Sequence, residues 1–405
     1  MTATQSIRLR YLYSPSGEAN CPGEEVLSVY RDYGVIPKSS RSDNFNKTPE
    51  NVERYLLVRP GDLVVNRMKA WQGSLGVSDY RGIVSGDYEV LRPTSDAVSG
   101  RYMHYALRSG HMIGEYRVRS TGIRPSQWRL YWDQMGDIRI LLPCLEEQDR
   151  IAAYLDSETA EIDTLIAEQQ RLVEMLRERR QAVIETETLR GINPLQIPAD
   201  SPVPFATVGH GFSVTLGKML DAGKERRPDD TELPYVRAAN IQDTGLDLTD
   251  VKSMPYSPDE AARLDLRAQD VLVVEGGAVG TCVVLDSDMP GWSFQKTVNR
   301  LRPLSDWNSR FYAYVIRAYR DIGVINTLGN QSTIAHFTAE KLRALRVPVP
   351  AAAEQRRIAD YLDRETLRID TLIAESERLI DLSKERRAAL ITAAVTGQVD
   401  VRQES

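Results

Sequence analysis

A stretch of 38 residues occurs twice in this chain. Glu147–Ile184, EQDRIAAYLDSETAEIDTLIAEQQRLVEMLRERRQAVI, returns as Glu354–Ile391 at a constant offset of 207, and the two copies share 24 of 38 residues. Neither copy contains Gly or Pro. Apolar residues fall on a seven-residue repeat at Leu155, Ile162, Leu165, Leu172, Leu176 and Val183 in the first copy, and at Leu362, Ile369, Leu372, Leu379 and Leu390 in the second. That period predicts two long helices, each needing a partner helix along its apolar stripe. Gln169 and Ser376 take one matched inward position, and Arg179 and Arg386 another. Polar residues in such a seam cost stability but fix register, so the pattern points to a specified pairing.

Charge sets the direction of that pairing. Glu147–Glu168 carries seven acidic residues against one basic, and Arg171–Arg180 four basic against two acidic. An antiparallel partner lays each acidic half against the other copy's basic half, giving a pseudo-twofold antiparallel coiled coil. A helix of about 40 residues is roughly 60 Å long, enough to hold two modules at a fixed separation.

The segments between the helices read as two mixed modules of an α+β chain. In the first, short strands are expected at Tyr55–Arg59, Leu63–Asn66, Tyr88–Leu91 and Ile138–Leu142, with one helix at Arg101–Arg108. The second retraces it with drifted sequence: Asp270–Val274 answers Asp62–Asn66, Arg300–Pro303 answers Val90–Pro93, and Arg310–Arg317 answers Arg101–Arg108. The expected organisation is a module over 1–144, a helix over 145–190, a Pro-rich linker over 191–201, a second module over 202–350, a second helix over 351–396 and a tail over 397–405. The helices have stayed alike while the modules have diverged, which suits one job done twice and two different jobs. The loop Arg67–Gln72, with Arg, Lys, Trp and Gln at its tip, is expected to be four residues longer than Glu275–Val279 in the second module. Its side chains suit phosphate and base-edge contacts, though an ordinary exposed hairpin accounts for it equally well.

Composition excludes several classes. No apolar run approaches the roughly 18 residues of a membrane span, and the first residues do not form a secretory signal, so a cytoplasmic protein is expected. Cys21, Cys144 and Cys282 are scattered without a CxxC, and the four histidines lack metal-ligand spacing. The net charge of −6 hides basic windows. Arg101–Arg129 holds six arginines and one acid, Glu115, among Tyr102, Tyr105, Tyr116 and Trp128. Lys296–Arg320 carries Lys296, Arg300, Arg302, Arg310, Arg317 and Arg320. Local patches rather than totals govern nucleic-acid binding, while two solvated basic faces are the plainer alternative.

No catalytic constellation emerges. Gly276–Gly280 follows a strand but lacks the spacing of a phosphate or dinucleotide loop. Pro228–Glu232 is followed by Pro234, where a nuclease of that pattern has Lys, and Asn193-Pro194-Leu195-Gln196 lacks the aromatic of an amino-methyltransferase motif. The expectation is a chain that is not itself an enzyme and carries no cofactor or metal.

The duplicated helices, the Pro that ends the strand before each (Pro143, Pro350), the segment Ala393–Gly397, and the stretches Gly217–Leu220 and Tyr235–Ile241 together resemble the specificity subunit of type I restriction-modification systems. The likeness extends over essentially the whole length, although module one has no counterpart of Gly217–Leu220 and its start is atypical. It implies two target-recognition domains, each reading half of a bipartite, asymmetric double-stranded DNA site, with the helices as spacer. It also implies two modification subunits docked on the helices, restriction subunits recruited to the assembly, and S-adenosylmethionine, ATP and Mg held by those partners. Candidate DNA contacts are Arg67, Lys69, Trp71, Gln72, Arg124 and Gln127 in the first module, and Arg237, Asn240, Gln242, Lys296, Asn330, Gln331 and His336 in the second. Helix pairing and docking fall to Leu155, Ile162, Leu165, Gln169, Leu172 and Leu176, and to Leu362, Ile369, Leu372, Ser376 and Leu379. The competing readings are a scaffold that only assembles proteins through its helices, and a standalone nuclease.

Overall fold

The computed structural model describes residues 5–31, 33–41, 48–49, 51–124, 127–219, 227–328, 337–399 and 401. The chain divides into two compact units, Met1–Gln170 with Glu377–Ser405, and Arg171–Ser376. The division falls inside both long helices, Leu145–Leu189 and Ala352–Val395.

In unit one a four-stranded antiparallel sheet runs in the order Tyr13–Pro15, Tyr88–Pro93, Leu63–Asn66, Leu75–Val77. Period-two alternation explains why Leu63–Val65 is apolar at every position. Leu63 and Val65 face a core shared with the helices, whereas Val64 and Val90 join a second cluster with Leu27, Val29, Val35, Val58 and Val84. A strand buried on both faces cannot show an alternating polar side. Helix Gly100–Arg108 buries Tyr102, Met103, Ala106 and Leu107 on one stripe. Ser109 then caps a helix the sequence did not announce, Gly110–Arg119, by accepting the Met112 N–H. Gln5–Arg8 pairs with Arg139–Leu142, which leads into the first long helix.

Unit two repeats this plan: Phe212–Leu216, Val298–Pro303, Val271–Val274 and Cys282–Val284 stand in the same order. Val271 and Val273 face the helix-side core, and Leu272 and Val274 the outer one. Phe205–Thr207 pairs with Arg346–Pro348 before the second long helix. Tyr13–Pro15 holds the place of Phe212–Leu216 in its sheet, so the atypical start of module one is confined to the segment after that strand.

Each unit contains an antiparallel pair of long-helix segments. In unit one Ile151, Ala152 and Leu155 share a core with Ile391, Ala394 and Val395, while Asp163 pairs with Arg387 at 2.9 Å, so rising numbers on one helix meet falling numbers on the other. In unit two Arg180 pairs with Asp370 at 2.9 Å, and Ile184 and Leu189 pack with Ile358, Ala359 and Leu362. At the offset of 207 these are the same ion pair made twice, once in each unit, and in each the two helix segments run antiparallel.

The seam differs by one residue from the leucine reading. Its buried or half-buried positions are Leu155, Thr159, Ile162, Ile166, Gln169, Val173, Leu176, Arg180 and Ile184, matched by Leu362, Thr366, Ile369, Ile373, Ser376, Ile380, Ser383, Arg387 and Ile391. Leu165, Leu172, Leu372 and Leu379 are exposed, as are Arg179 and Arg386. Two apolar stripes lie side by side on each helix, and the β-branched one faces inward. Thr159 and Thr366 keep that stripe continuous because each hydroxyl donates to a carbonyl one turn back, Leu155 at 2.6 Å and Leu362 at 2.7 Å.

Candidate nucleic-acid interface

Each module is attached to its helix by the same side chains. Gln148 is buried, accepts the Ser99 N–H at 2.8 Å and donates to the carbonyls of Pro143 and Ala97, each at 2.9 Å. Gln355 repeats this, accepting the Asn308 N–H and donating to Pro350, both at 2.8 Å. Tyr105 donates to Asp156 at 2.6 Å with Thr159 at 3.3 Å; Tyr314 donates to Asp363 at 2.8 Å with Thr366 at 3.1 Å. Arg101 meets Asp156, and Arg310 meets Asp363 and Asp360. Inside the modules, buried Asp62 accepts from the Arg59 N–H and Arg92, and buried Asp270 from the Arg267 N–H and Arg302.

These bonds overturn the second basic window. Arg300 and Arg302 are bound to Asp265 and Asp270, Arg310 to the helix, and Arg317 and Arg320 to Asp243. Burial pushes the Asp243 and Asp265 carboxyls up, but hydrogen bonds and charge from their arginines outweigh it and hold both below the usual range. Among the cations counted there, Lys296 alone is exposed. A window count misses acids that arrive from elsewhere in the chain.

The free cations lie elsewhere. In module one the loop after Leu63–Asn66 spans Arg67–Ser74, against Glu275–Thr281 in module two, so it is one residue longer rather than four. Leu130 N–H donates to the Arg67 carbonyl at 2.9 Å, and Trp71 packs edge-on against Trp128 with centroids 5.4 Å apart. The fold thereby brings together Arg67–Gln72 and Arg124–Gln127, which the sequence separates by more than fifty residues. Lys69, Gln72, Arg124 and Gln127 are exposed. Arg67 is turned back, donating to the carbonyls of Gly86 and Asp87 and lying 3.8 Å from Glu89, and the Trp71 indole N–H donates to the Met68 carbonyl. These two shape the loop. Arg117, on the surface of Gly110–Arg119, and Trp128 were not among the candidates; only their place in the first basic window signalled them.

In module two, Gln242 and Lys296 are exposed and Arg237 pairs with Asp250. The Ala238 N–H donates to Thr297 and the Gln295 N–H to Val236, so the Arg237 and Lys296 segments adjoin. Asn240 is a correction: it is buried, its Oδ1 accepts the Arg237 N–H and its Nδ2 donates to the Asp247 and Asp250 carbonyls, leaving nothing for a base edge. Asn330, Gln331 and His336 lie outside the described residues. Gly277 and Gly280 take positive φ in the turn between two strands, and a Cβ on Gly280 would sit 2.8 Å from Ile325, which accounts for that glycine-rich stretch. Among the described residues no group of three or more His, Cys, Asp or Glu is placed to hold a metal, and no helix is long and apolar enough to cross a membrane.

Comparison with known proteins fits this architecture. Residues 213–379 match the model for the type I restriction modification DNA specificity domain. The type I restriction enzyme StySPI specificity subunit of Salmonella potsdam is 25% identical over 202 residues, 48% of this chain and 43% of that protein. The EcoBI specificity subunit of Escherichia coli is 31% identical over 93 residues, 23% and 19% of the two chains. The chain thus aligns with less than half the length of these relatives. Among solved structures, a chain from a study of complex assembly in a type I R-M system superposes with a TM-score of 0.75 at 16% identity, covering 96% of this chain and 97% of that one. The HsdS subunit from Thermoanaerobacter tengcongensis gives 0.58 at 16% identity, with 98% and 97% covered. Two α+β modules on paired long helices are therefore a shared fold. Residues 213–379 thus match a type I specificity domain, and the chain is similar in sequence to type I specificity subunits and in fold to solved ones.

Proposed function

We propose that this chain is the DNA-reading subunit of a type I restriction-modification assembly, in which each module reads one half of a bipartite, asymmetric site and the long helices fix the gap. One observation carries the reading. The specificity-domain match covers module two, and module one repeats that module's sheet order, its Asp–Arg clamp and its glutamine and tyrosine attachments. Whatever module two does, module one is built to do as well. Their exposed loops differ, Lys69, Gln72, Arg124 and Gln127 in one and Gln242 and Lys296 in the other, so the half-sites read are unlike.

Cations at the loops supply attraction to phosphates whatever the sequence, and Arg, Lys and Gln can discriminate base edges in the major groove. The outward leucines, Leu165, Leu172, Leu372 and Leu379, offer apolar surface for two modification subunits, with restriction subunits joining the assembly. In this reading the chain is non-catalytic, and S-adenosylmethionine, ATP and Mg belong to the partners. The test is single-molecule mapping of adenine methylation in a host expressing this chain with its neighbouring modification subunit, and in the same host lacking the chain. A two-part motif with a fixed gap, present only with the chain, is the expected result. An assembled, methylating complex with no motif would sink the reading in favour of a scaffold.

A further inference from the structure

Among the described residues, the most exposed large apolar side chain lies on the segment that adjoins module one's Arg67–Gln72 loop. Ile123 is 95% exposed on an arm whose ends are pinned, the Thr121 and Arg129 N–H groups each donating to the other's carbonyl at 3.0 and 2.9 Å. A Cβ on Gly122 would lie 2.6 Å from the Gln127 carbonyl oxygen, so the two sides of the arm approach as closely as backbone allows. At its base Leu130 is buried in the module core and Trp128 packs on Trp71. The base of the arm is therefore anchored on the module core. Exposed Arg124 follows it directly, and Lys69 sits on the adjoining loop.

A lone exposed aliphatic residue is ordinary; one carried on a pinned arm among cations has a narrower use. Arg124 and Lys69 bring the arm to phosphates but are indifferent to sequence, and Ile123 has no hydrogen-bonding group. It can add only apolar contact. On DNA the surfaces that offer this to a lone aliphatic side chain are the faces of a base step opened by a wedge and the thymine C5-methyl.

We propose that Ile123 is an apolar reader of module one's half-site, pressed against a base rather than a phosphate. The inference rests on the DNA-reading function above. Its test selects duplexes from a random-sequence pool with the full chain, wild type, Ile123→Ser and Ile123→Leu, and measures binding of the selected duplexes by anisotropy. Replacing each thymine in the first half-site by uracil, and separately placing 2-aminopurine at each step, distinguishes a methyl contact from an opened step. The expected result is that Ile123→Ser binds about tenfold more weakly and relaxes the motif in one half-site only, that Ile123→Leu restores most of the loss, and that one of the two base probes responds in the wild type but not in Ile123→Ser. If Ile123→Ser selects the same motif with the same affinity, Ile123 reads nothing while the DNA-reading function stands. If the wild-type chain selects no motif, both ideas fall.

Discussion

The two modules are alike where they meet their helices and unlike at their outer loops. Gln148 and Gln355, Tyr105 and Tyr314, and Asp156 and Asp363 make matching bonds in the two units, and Asp62–Arg92 and Asp270–Arg302 clamp the same corner of the sheet. The loops between matched strands have become Arg67–Ser74 with its tryptophan in one and a glycine turn over Glu275–Thr281 in the other. Attachment is a problem with one solution, since buried polar groups must all be paired. An exposed loop has no such constraint and is free to suit its ligand.

Four experiments put this equivalence at risk. Leu155→Ala and Leu362→Ala remove fully buried side chains at matched positions, and each should cost about 3–4 kcal/mol in urea unfolding, with hydrogen exchange locating the loss in its own unit; a gap above about 2 kcal/mol would end the equivalence. Asp270→Asn should cost about 3 kcal/mol and Asp62→Asn about 2, because Arg302 is more enclosed than Arg92 and its broken pair is screened less. Acid should separate the units. The His104 ring is closed in by Gly34, Gly76 and Arg108; burial and then the Arg108 charge lower its pKa from 6.5 to about 4. The Nε2 accepts from Arg108 and the Nδ1–H faces the Val77 carbonyl, fixing a neutral tautomer. The unfolded chain takes up the proton first, so this contribution is full above pH 6.5 and is lost as pH falls towards 4, by roughly 3 kcal/mol. Module two has Ala313 in the corresponding helix, so the slope should appear in unit one only and flatten in His104→Gln, as hydrogen exchange at several pH values would reveal. The smallest effect belongs to Arg180→Ala and Arg387→Ala, about 0.5 kcal/mol each, with equal coupling to Asp370 and Asp163 in double-mutant cycles.

The long helices and their direction were legible because a duplication free of Gly and Pro, with a seven-residue period and opposed charge, leaves few alternatives. The inward stripe was not. Leu165 and Leu172 lie beside Ile166 and Val173, and the choice turns on accepting Thr159 as an interior residue, which only its bonds to Leu155 and Tyr105 explain. Charge misled for the same reason. Arg300, Arg302, Arg317 and Arg320 look free in a window whose neutralising acids, Asp243, Asp265 and Asp270, stand well before it in sequence. Of the candidate contacts, Lys69, Gln72, Arg124, Gln127, Gln242 and Lys296 reach the surface, while Asn240 is consumed by its own turn. A short polar side chain next to a sharp turn reads the same in sequence whether it serves the turn or a ligand.

The repeated glutamine joint makes the modules interchangeable parts. Gln148 and Gln355 each ask for one backbone N–H and the carbonyl of the proline that precedes the helix, Gln148 adding the Ala97 carbonyl, and none of these requests names a side chain. A foreign module presenting that backbone, with a tyrosine and an arginine to meet Asp156 or Asp363, would fit either socket. Exchange at the joints would then replace a whole set of loops in one step, where substitution changes it one side chain at a time.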